Sequence, residues 1–319
     1  MTQPLAFVFP GQGSQQVGML RELAERYSVV GATFEEASEA LGYDLWKVVQ
    51  EGPAEALNAT ACTQPALLAA SVAIWRIWQE LEGPRPGAMA GHSLGEYSAM
   101  VCAGVMPFAE GVRLVKLRGE AMQEAVPAGQ GGMAAILGLD DSVVEQACAE
   151  AAQGEVVSAV NYNAPGQVVI AGSKAAVERA IAACQAAGAK RAMPLPVSVP
   201  SHCALMEPAA ERLSAVMDEM ALKGPRYTVI QNVDAQAHAD VETLRTRLIE
   251  QLYRPVRWTS CVETMSERGA EVFIECGPGK VLTGLGKRIV RGSKGLAAND
   301  PDSLDAALEL ARGVASRNG

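Results

Sequence analysis

Residues 88–96 read Ala88-Met89-Ala90-Gly91-His92-Ser93-Leu94-Gly95-Glu96. A short apolar stretch runs into a serine that has a glycine two positions away on either side. The small-residue run from Tyr97 to Ala103 follows with helical character. A strand that turns sharply into a helix puts the serine hydroxyl at an exposed, strained apex, and the glycines let the backbone turn without steric conflict. The helix N-terminus then lies beside any negative charge that forms near the serine. Three fixed positions in five also arise in ordinary strand–helix turns. The nucleophile reading of Ser93 therefore depends on a base, an oxyanion site and a substrate anchor elsewhere in the chain.

On either side of this turn the chain alternates. Leu5-Ala6-Phe7-Val8-Phe9 is a continuous apolar run, as in a buried parallel strand, and strand-like runs recur at 88–90, 227–231 and 272–275. Helical patterning fits 18–25, 32–41, 64–81, 109–125, 203–222, 241–252 and 304–316. This alternation predicts an α/β fold with a parallel sheet. One segment reads differently: strand 133–137, helix 140–152, strand 156–162, turn 163–166, strand 167–171, helix 173–187, strand 191–195. That order is βαββαβ, the ferredoxin-like split unit, with Asp140 and Ser173 as expected helix N-caps. The expected architecture is an α/β-hydrolase-like large domain (1–126 and 198–319) carrying an inserted ferredoxin-like small domain (127–197), bracketed by Gly-rich 127–132 and the Pro194–Pro200 stretch. A substrate would lie in the cleft between the two.

The chain has 319 residues, of which 49% are apolar, enough for a sizeable core. A net charge of −9 without a basic domain argues against general nucleic-acid binding. The seven cysteines (62, 102, 148, 184, 203, 261 and 276) stand singly, without a Cys-x-x-Cys pair. They read as reduced thiols in the cytoplasm, with no metal site indicated. Met1-Thr2-Gln3-Pro4 carries no basic side chain and does not resemble a signal peptide. No apolar run approaches the ~18 residues of a membrane span.

A serine needs a base to attack at neutral pH, and there are three histidines. His92 adjoins Ser93 and is expected to pack or bond locally. His238 lies in a polar stretch and reads as a solvated loop residue. His202 is the base by elimination, expected to open a helix at the cleft mouth; the alternative is a satisfied interfacial histidine. No Asp or Glu is well placed to orient it, which weakens a simple hydrolase reading. On the helix at 109–125, Leu114, Val115, Ala121, Met122 and Ala125 form an apolar stripe that includes Arg118. An inward guanidinium must find an anion. That anion is either an internal carboxylate or a carboxylate arriving with the substrate, which a bidentate fork would suit. Gly11-Gln12-Gly13-Ser14-Gln15-Gln16 lacks the third glycine of a dinucleotide fingerprint, and no P-loop exists, so a nucleotide cofactor is not expected. That loop can instead bring Gln12 and its backbone close to an oxyanion.

These motifs coincide in one known family. Phe9-Pro10-Gly11-Gln12-Gly13-Ser14-Gln15, Thr63-Gln64-Pro65-Ala66, Gly91 to Glu96, Arg118, Asn161-Tyr162-Asn163-Ala164-Pro165-Gly166-Gln167, Ser201-His202 and Glu275-Cys276-Gly277-Pro278-Gly279 run the length of the chain. Jointly they make it resemble the malonyl-CoA:acyl carrier protein transacylases of bacterial fatty acid synthesis. The resemblance implies a ping-pong transfer through a malonyl-Ser93 ester, with His202 as base and then acid. It further implies that the backbone carbonyl of Gln251 orients His202, that the amides of Gln12 and Leu94 hold the oxyanion, and that Arg118 pairs with the free carboxylate of malonate. The implied partners are malonyl-CoA and acyl carrier protein, with no nucleic acid, no membrane and no cofactor, in a chain expected to act as a monomer. Leu94 fits the malonyl-selective pattern, whereas Val199-Pro200-Ser201 departs from the His-Ala-Phe-His box of malonyl-selective polyketide domains. A thioesterase, a non-catalytic docking module and a trans-acting polyketide acyltransferase are the competing readings. Lys287, Arg288, Arg291 and Lys294, and Lys190 with Arg191, are candidate contacts for an acidic carrier, or simply solvated helix ends.

Overall fold

The structure, a computed structural model, describes residues 4–197 and 199–317. Met1 to Gln3, on which the expectation about a signal peptide falls, lie outside the described residues, as do Ser198 at the expected boundary and residues 318–319. Among the described residues nine strands form two sheets: β1 (Leu5–Phe9), β2 (Ala88–Gly91), β3 (Gly131–Leu137), β4 (Val157–Ala164), β5 (Gln167–Ser173), β6 (Arg191–Pro194), β7 (Thr228–Ile230), β8 (Val272–Glu275) and β9 (Lys294–Ala297). One sheet is wholly parallel, in the order β7-β2-β1-β8-β9. The other is antiparallel, in the order β4-β5-β3-β6. The fold is thus mixed α/β with a parallel sheet and a separate antiparallel one.

Every residue of β1 is buried, as its unbroken apolar run predicts. Phe7 meets the edges of Trp75 and Trp78 with ring centroids 5.3 and 5.0 Å apart, and both tryptophans lie on the mostly buried helix Thr60–Glu80. β1 and β2 pair directly, Phe9 opposite Gly91. Because the strands are parallel, the Gly11–Gln16 loop and the Ser93 turn leave the sheet at the same edge. Carboxyl ends of parallel strands are where open α/β sheets place their ligands.

The antiparallel unit follows the expected βαββαβ order, with helices Asp141–Ala152 and Lys174–Ala186. Asp140 and Ser173 occupy the N-cap positions, but neither side chain caps its helix; the Ser173 hydroxyl bonds Glu155 instead. The turn expected at 163–166 is shorter, since β4 runs to Ala164 and leaves Pro165-Gly166 at the bend, where Gly166 has φ 72°. Bulges in β4 between Ala159 and Asn161 and between Tyr162 and Ala164 take up the difference. β4 also docks on the rest of the chain, because Val256 donates to Val160 O and accepts from Tyr162 N, at 2.8 and 3.0 Å.

The helix expected at 203–222 starts later and ends sooner. A 3₁₀ turn covers Ala204–Met206 and the α-helix runs over Glu207–Met217. Pro208 has no N–H to donate and fits only the first turn, which pins the start there. His202 therefore lies ahead of the helix, in a turn, and does not open it.

Candidate active site

The serine turn is assembled by close approach. Gly91 and Gly95 have ordinary negative φ values, yet neither could carry a side chain. A Cβ on Gly91 would stand 1.8 Å from the Gly95 backbone, and one on Gly95 would stand 2.0 Å from Phe9 O. Helix Leu94–Cys102 thus starts in contact with the ends of β1 and β2. The strain falls on Ser93 itself, at φ 54° and ψ −112°, a region that L-residues occupy only when the surroundings impose it. Asn232 imposes it: its Oδ1 accepts from Ser93 N at 3.0 Å and its Nδ2 donates to Gly91 O at 2.7 Å.

His202 also has a left-handed backbone, φ 64°. Its Nε2 lies 2.8 Å from Ser93 Oγ and its Nδ1 lies 2.6 Å from the carbonyl of Gln251. The backbone N–H of His202 donates to Leu252 O. Gln251 caps the C-terminus of helix Val241–Glu250, where the last carbonyls have no helical partner and carry the negative end of the helix dipole. A carbonyl can only accept, so Nδ1 holds the proton and Nε2 offers its lone pair to the serine. Burial and then the nearby Arg118 charge push the His202 pKa down to about 3, against an upward pull from the Gln251 carbonyl that outweighs the lesser effect of His92. The imidazole is neutral at physiological pH, as a proton acceptor must be.

Arg118 is 1% exposed and lies on the buried face of helix Phe108–Ala125, in the predicted stripe. It forms no ion pair with a carboxylate among the described residues. Its Nη1 donates to Gln64 Oε1 at 2.8 Å; its Nη2 donates to Gln251 Oε1 at 2.9 Å and approaches Ser93 Oγ at 3.3 Å. The guanidinium carbon lies 5.1 Å from the centroid of the Tyr97 ring. Arg118 is thus a buried cation whose acceptors are all neutral, held against the serine hydroxyl.

The amides of Gln12 and Leu94 donate to no protein acceptor among the described residues, Leu94 being the first residue of its helix. Gln12, Ser93 and His202 line one cleft of about 500 Å³, together with His92, Asn161 and Leu195. His92 packs, as expected, and also bonds across to the antiparallel sheet. Its Nε2 reaches Asn163 Oδ1 on β4 at 2.7 Å, and its ring packs on Trp258. His238 is not freely solvated; it is half-buried against Asp234, at 2.8 Å. One member of each basic cluster, Arg288 and Lys190, reaches the region of the Pro165-Gly166 bend. Arg288 donates to Pro165 O, the Gly138 amide bonds Gly166 O, and the Lys190 side chain lies over Gly138.

The sequence reading missed Gln64, Glu96 and Asn232, and the side chain of Gln251. Glu96 is buried, and accepts from Gln251 Nε2 at 2.8 Å, Gln231 Nε2 at 3.1 Å and Asn232 N at 3.2 Å. Burial pushes its pKa up to about 7, while these donors and Arg118 pull it back. The available signal was polarity where the pattern called for core: Glu96 at the start of an otherwise apolar helix, and Gln231-Asn232 directly after β7.

Residues 6–302 match the acyl transferase domain family. The malonyl CoA-acyl carrier protein transacylases of Salmonella typhimurium and Escherichia coli K12 are each 61% identical, over 97% of this chain and 99% and 100% of theirs. Among solved structures, an acyl carrier protein S-malonyltransferase from Vibrio cholerae is 64% identical at a TM-score of 0.94, covering 95% of this chain and 99% of its own. A malonyl-transacylase in complex with a type II polyketide acyl carrier protein is 59% identical at 0.95, covering 96% and 99%. The chain belongs to the acyltransferases and, within them, to the malonyl CoA-acyl carrier protein transacylase family. Among the described residues no helix is long and apolar enough to cross a membrane.

Proposed function

We propose that the chain transfers the malonyl group of malonyl-CoA to the phosphopantetheine thiol of acyl carrier protein by a ping-pong reaction, supplying fatty acid elongation. Ser93 Oγ attacks the thioester carbonyl as His202 Nε2 takes its proton. The C–S bond breaks and the leaving coenzyme A sulfur takes that proton from His202. The carrier thiol then gives its proton to His202, attacks the malonyl-Ser93 ester and regenerates the hydroxyl. The Gln12 and Leu94 amides hold the oxyanion in both halves, Arg118 grips the free carboxylate, and the Gln251 carbonyl keeps the imidazole in its reactive tautomer. No cofactor takes part; malonyl-CoA is a substrate.

The observation that carries this reading is the pairing of a 2.8 Å Ser93–His202 contact with a buried Arg118 that has no carboxylate partner among the described residues. A hydrolase of this kind would orient its base with an acid and has no use for such an arginine. Around the cleft we read an α/β-hydrolase-like large domain (1–126 and 198–319) and a ferredoxin-like small domain (127–197), acting as a cytoplasmic monomer. The basic groups around Pro165-Gly166 are the part of the surface suited to an acidic carrier. Intact-protein mass spectrometry after exposure to malonyl-CoA tests the reading: the protein gains one malonyl group and loses it when holo-carrier protein is added. Release of free malonate without carrier loading would identify a thioesterase instead.

A further inference from the structure

We propose that Glu96 is a positioning residue that supplies, through the side chain of Gln251, the negative charge that the Ser93–His202 pair lacks. The inference rests on the acyl-transfer reading above. Gln251 Oε1 accepts from Arg118 and its Nε2 donates to Glu96 Oε2, at 2.9 and 2.8 Å, so one neutral amide separates the buried cation from the buried anion. The same residue's backbone carbonyl holds His202 Nδ1. Three N–H groups point at the Glu96 oxygens and, among the described residues, no acceptor faces them, an arrangement that favours the carboxylate over the carboxylic acid.

Two consequences follow from this spacing. A direct Arg118–Glu96 pair would place a carboxylate on the guanidinium; the intervening amide balances the charge and leaves the terminal nitrogens with neutral partners, Gln64 Oε1, Gln251 Oε1 and Ser93 Oγ, which an anion outcompetes. In addition, His202 must become an imidazolium beside Arg118 each time Ser93 attacks. An anion one amide away offsets that repulsion when the transition state needs it.

The charge argument gives Glu96→Gln a signature that loss of packing does not share. Removing the anion makes the imidazolium harder to form and leaves Arg118 more strongly attractive to an acyl carboxylate. At pH 8 the rate constant for acyl-enzyme formation should fall at least tenfold, while the half-saturating malonyl-CoA concentration stays level or falls. With acetyl-CoA, which has no carboxylate, the rate should fall without any gain in saturation. An unchanged rate, or a rise in half-saturation shared by both donors, overturns the proposal. If Glu96→Gln does not fold, Glu96→Asp and Glu96→Ala take its place. Asp keeps the charge and should stay at least tenfold faster than Ala; equal rates overturn the proposal. The parent protein is assayed alongside. A parent that forms no acyl-enzyme overturns the functional reading and this inference together, whereas an active parent with an unaffected Glu96 variant overturns only the inference.

Discussion

Replacing Arg118 by alanine tests whether the buried cation selects the acyl group. Malonyl and acetyl thioesters differ by one carboxylate, and Arg118 is the buried cation beside Ser93, its Nη2 3.3 Å from the hydroxyl. Truncating one partner of a buried, hydrogen-bonded charge pair costs about 2–5 kcal/mol. At about 1.4 kcal/mol per tenfold, kcat/KM for malonyl-CoA should fall roughly 30- to 4,000-fold. Acetyl transfer makes no such pair and should fall by less than about tenfold, or rise, because the desolvated cation no longer opposes an apolar acyl end. The variant also strands Gln64 Oε1 and Gln251 Oε1, which lose their Arg118 donors. At about 1–3 kcal/mol per buried unpaired group, Tm should drop by several degrees. The assay is carrier-protein loading from each thioester, with Arg118→Lys as the control that keeps charge and loses the fork. Losses of equal size for the two donors would refute the assignment and reduce Arg118 to a packing element of the serine turn.

Ser93→Ala should take up no malonyl group from malonyl-CoA by intact mass while keeping the parent Tm; acylation of the variant would move the nucleophile elsewhere. Gly95→Ala should destabilise the protein by more than about 3 kcal/mol in urea unfolding, because its Cβ would stand 2.0 Å from Phe9 O; parent-like stability would mean that the turn relaxes freely. The His202 pKa is lowered in the fold, from 6.5 to about 3, so its neutral form contributes stability that is complete above pH 6.5 and is lost as pH falls toward 3. Stability of the parent should therefore fall more steeply between pH 6.5 and 4 than that of His202→Gln, by up to about 1.4 kcal/mol per pH unit; parallel curves would show that the imidazole is not desolvated.

Much of this was legible in the chain because the signals are local. The Gly-x-Ser-x-Gly spacing, the apolar β1 run and the βαββαβ alternation each lie within a few dozen residues, and Arg118 declares its face by helical periodicity. The missed elements depend on distant contacts. β9 contains Lys294 and Gly295 and is only half-buried, so its pairing with β8 leaves little apolar pattern. The short helices Leu45–Glu51, Trp258–Glu267 and Val281–Ile289 span too few turns for a clear period. His202 was found by elimination, but its turn is set by Pro208 and by the helix end at Gln251, 49 residues away. Glu96 was visible only as an anomaly, a charge where the helix should be apolar, and its partners come from 231, 232 and 251.

The absent acid is the point at which motif reading and geometry part. A search for an Asp or Glu beside His202 fails because the fold divides that task. The helix terminus at Gln251 supplies the acceptor that fixes the tautomer, with the dipole adding partial negative charge. Charge balance is then a separate matter, placed behind the side chain of the same residue. Such a division suits a site that must receive an anionic acyl group. A full carboxylate against the imidazole would repel malonate within the same pocket, whereas a carbonyl orients the base at far smaller electrostatic cost to the substrate. Gln251 joins these functions because it touches His202, Arg118, Glu96 and the Ser93 carbonyl at once. Only its carbonyl contribution survives substitution by another residue, so Gln251→Ala should leave the tautomer intact while releasing Arg118.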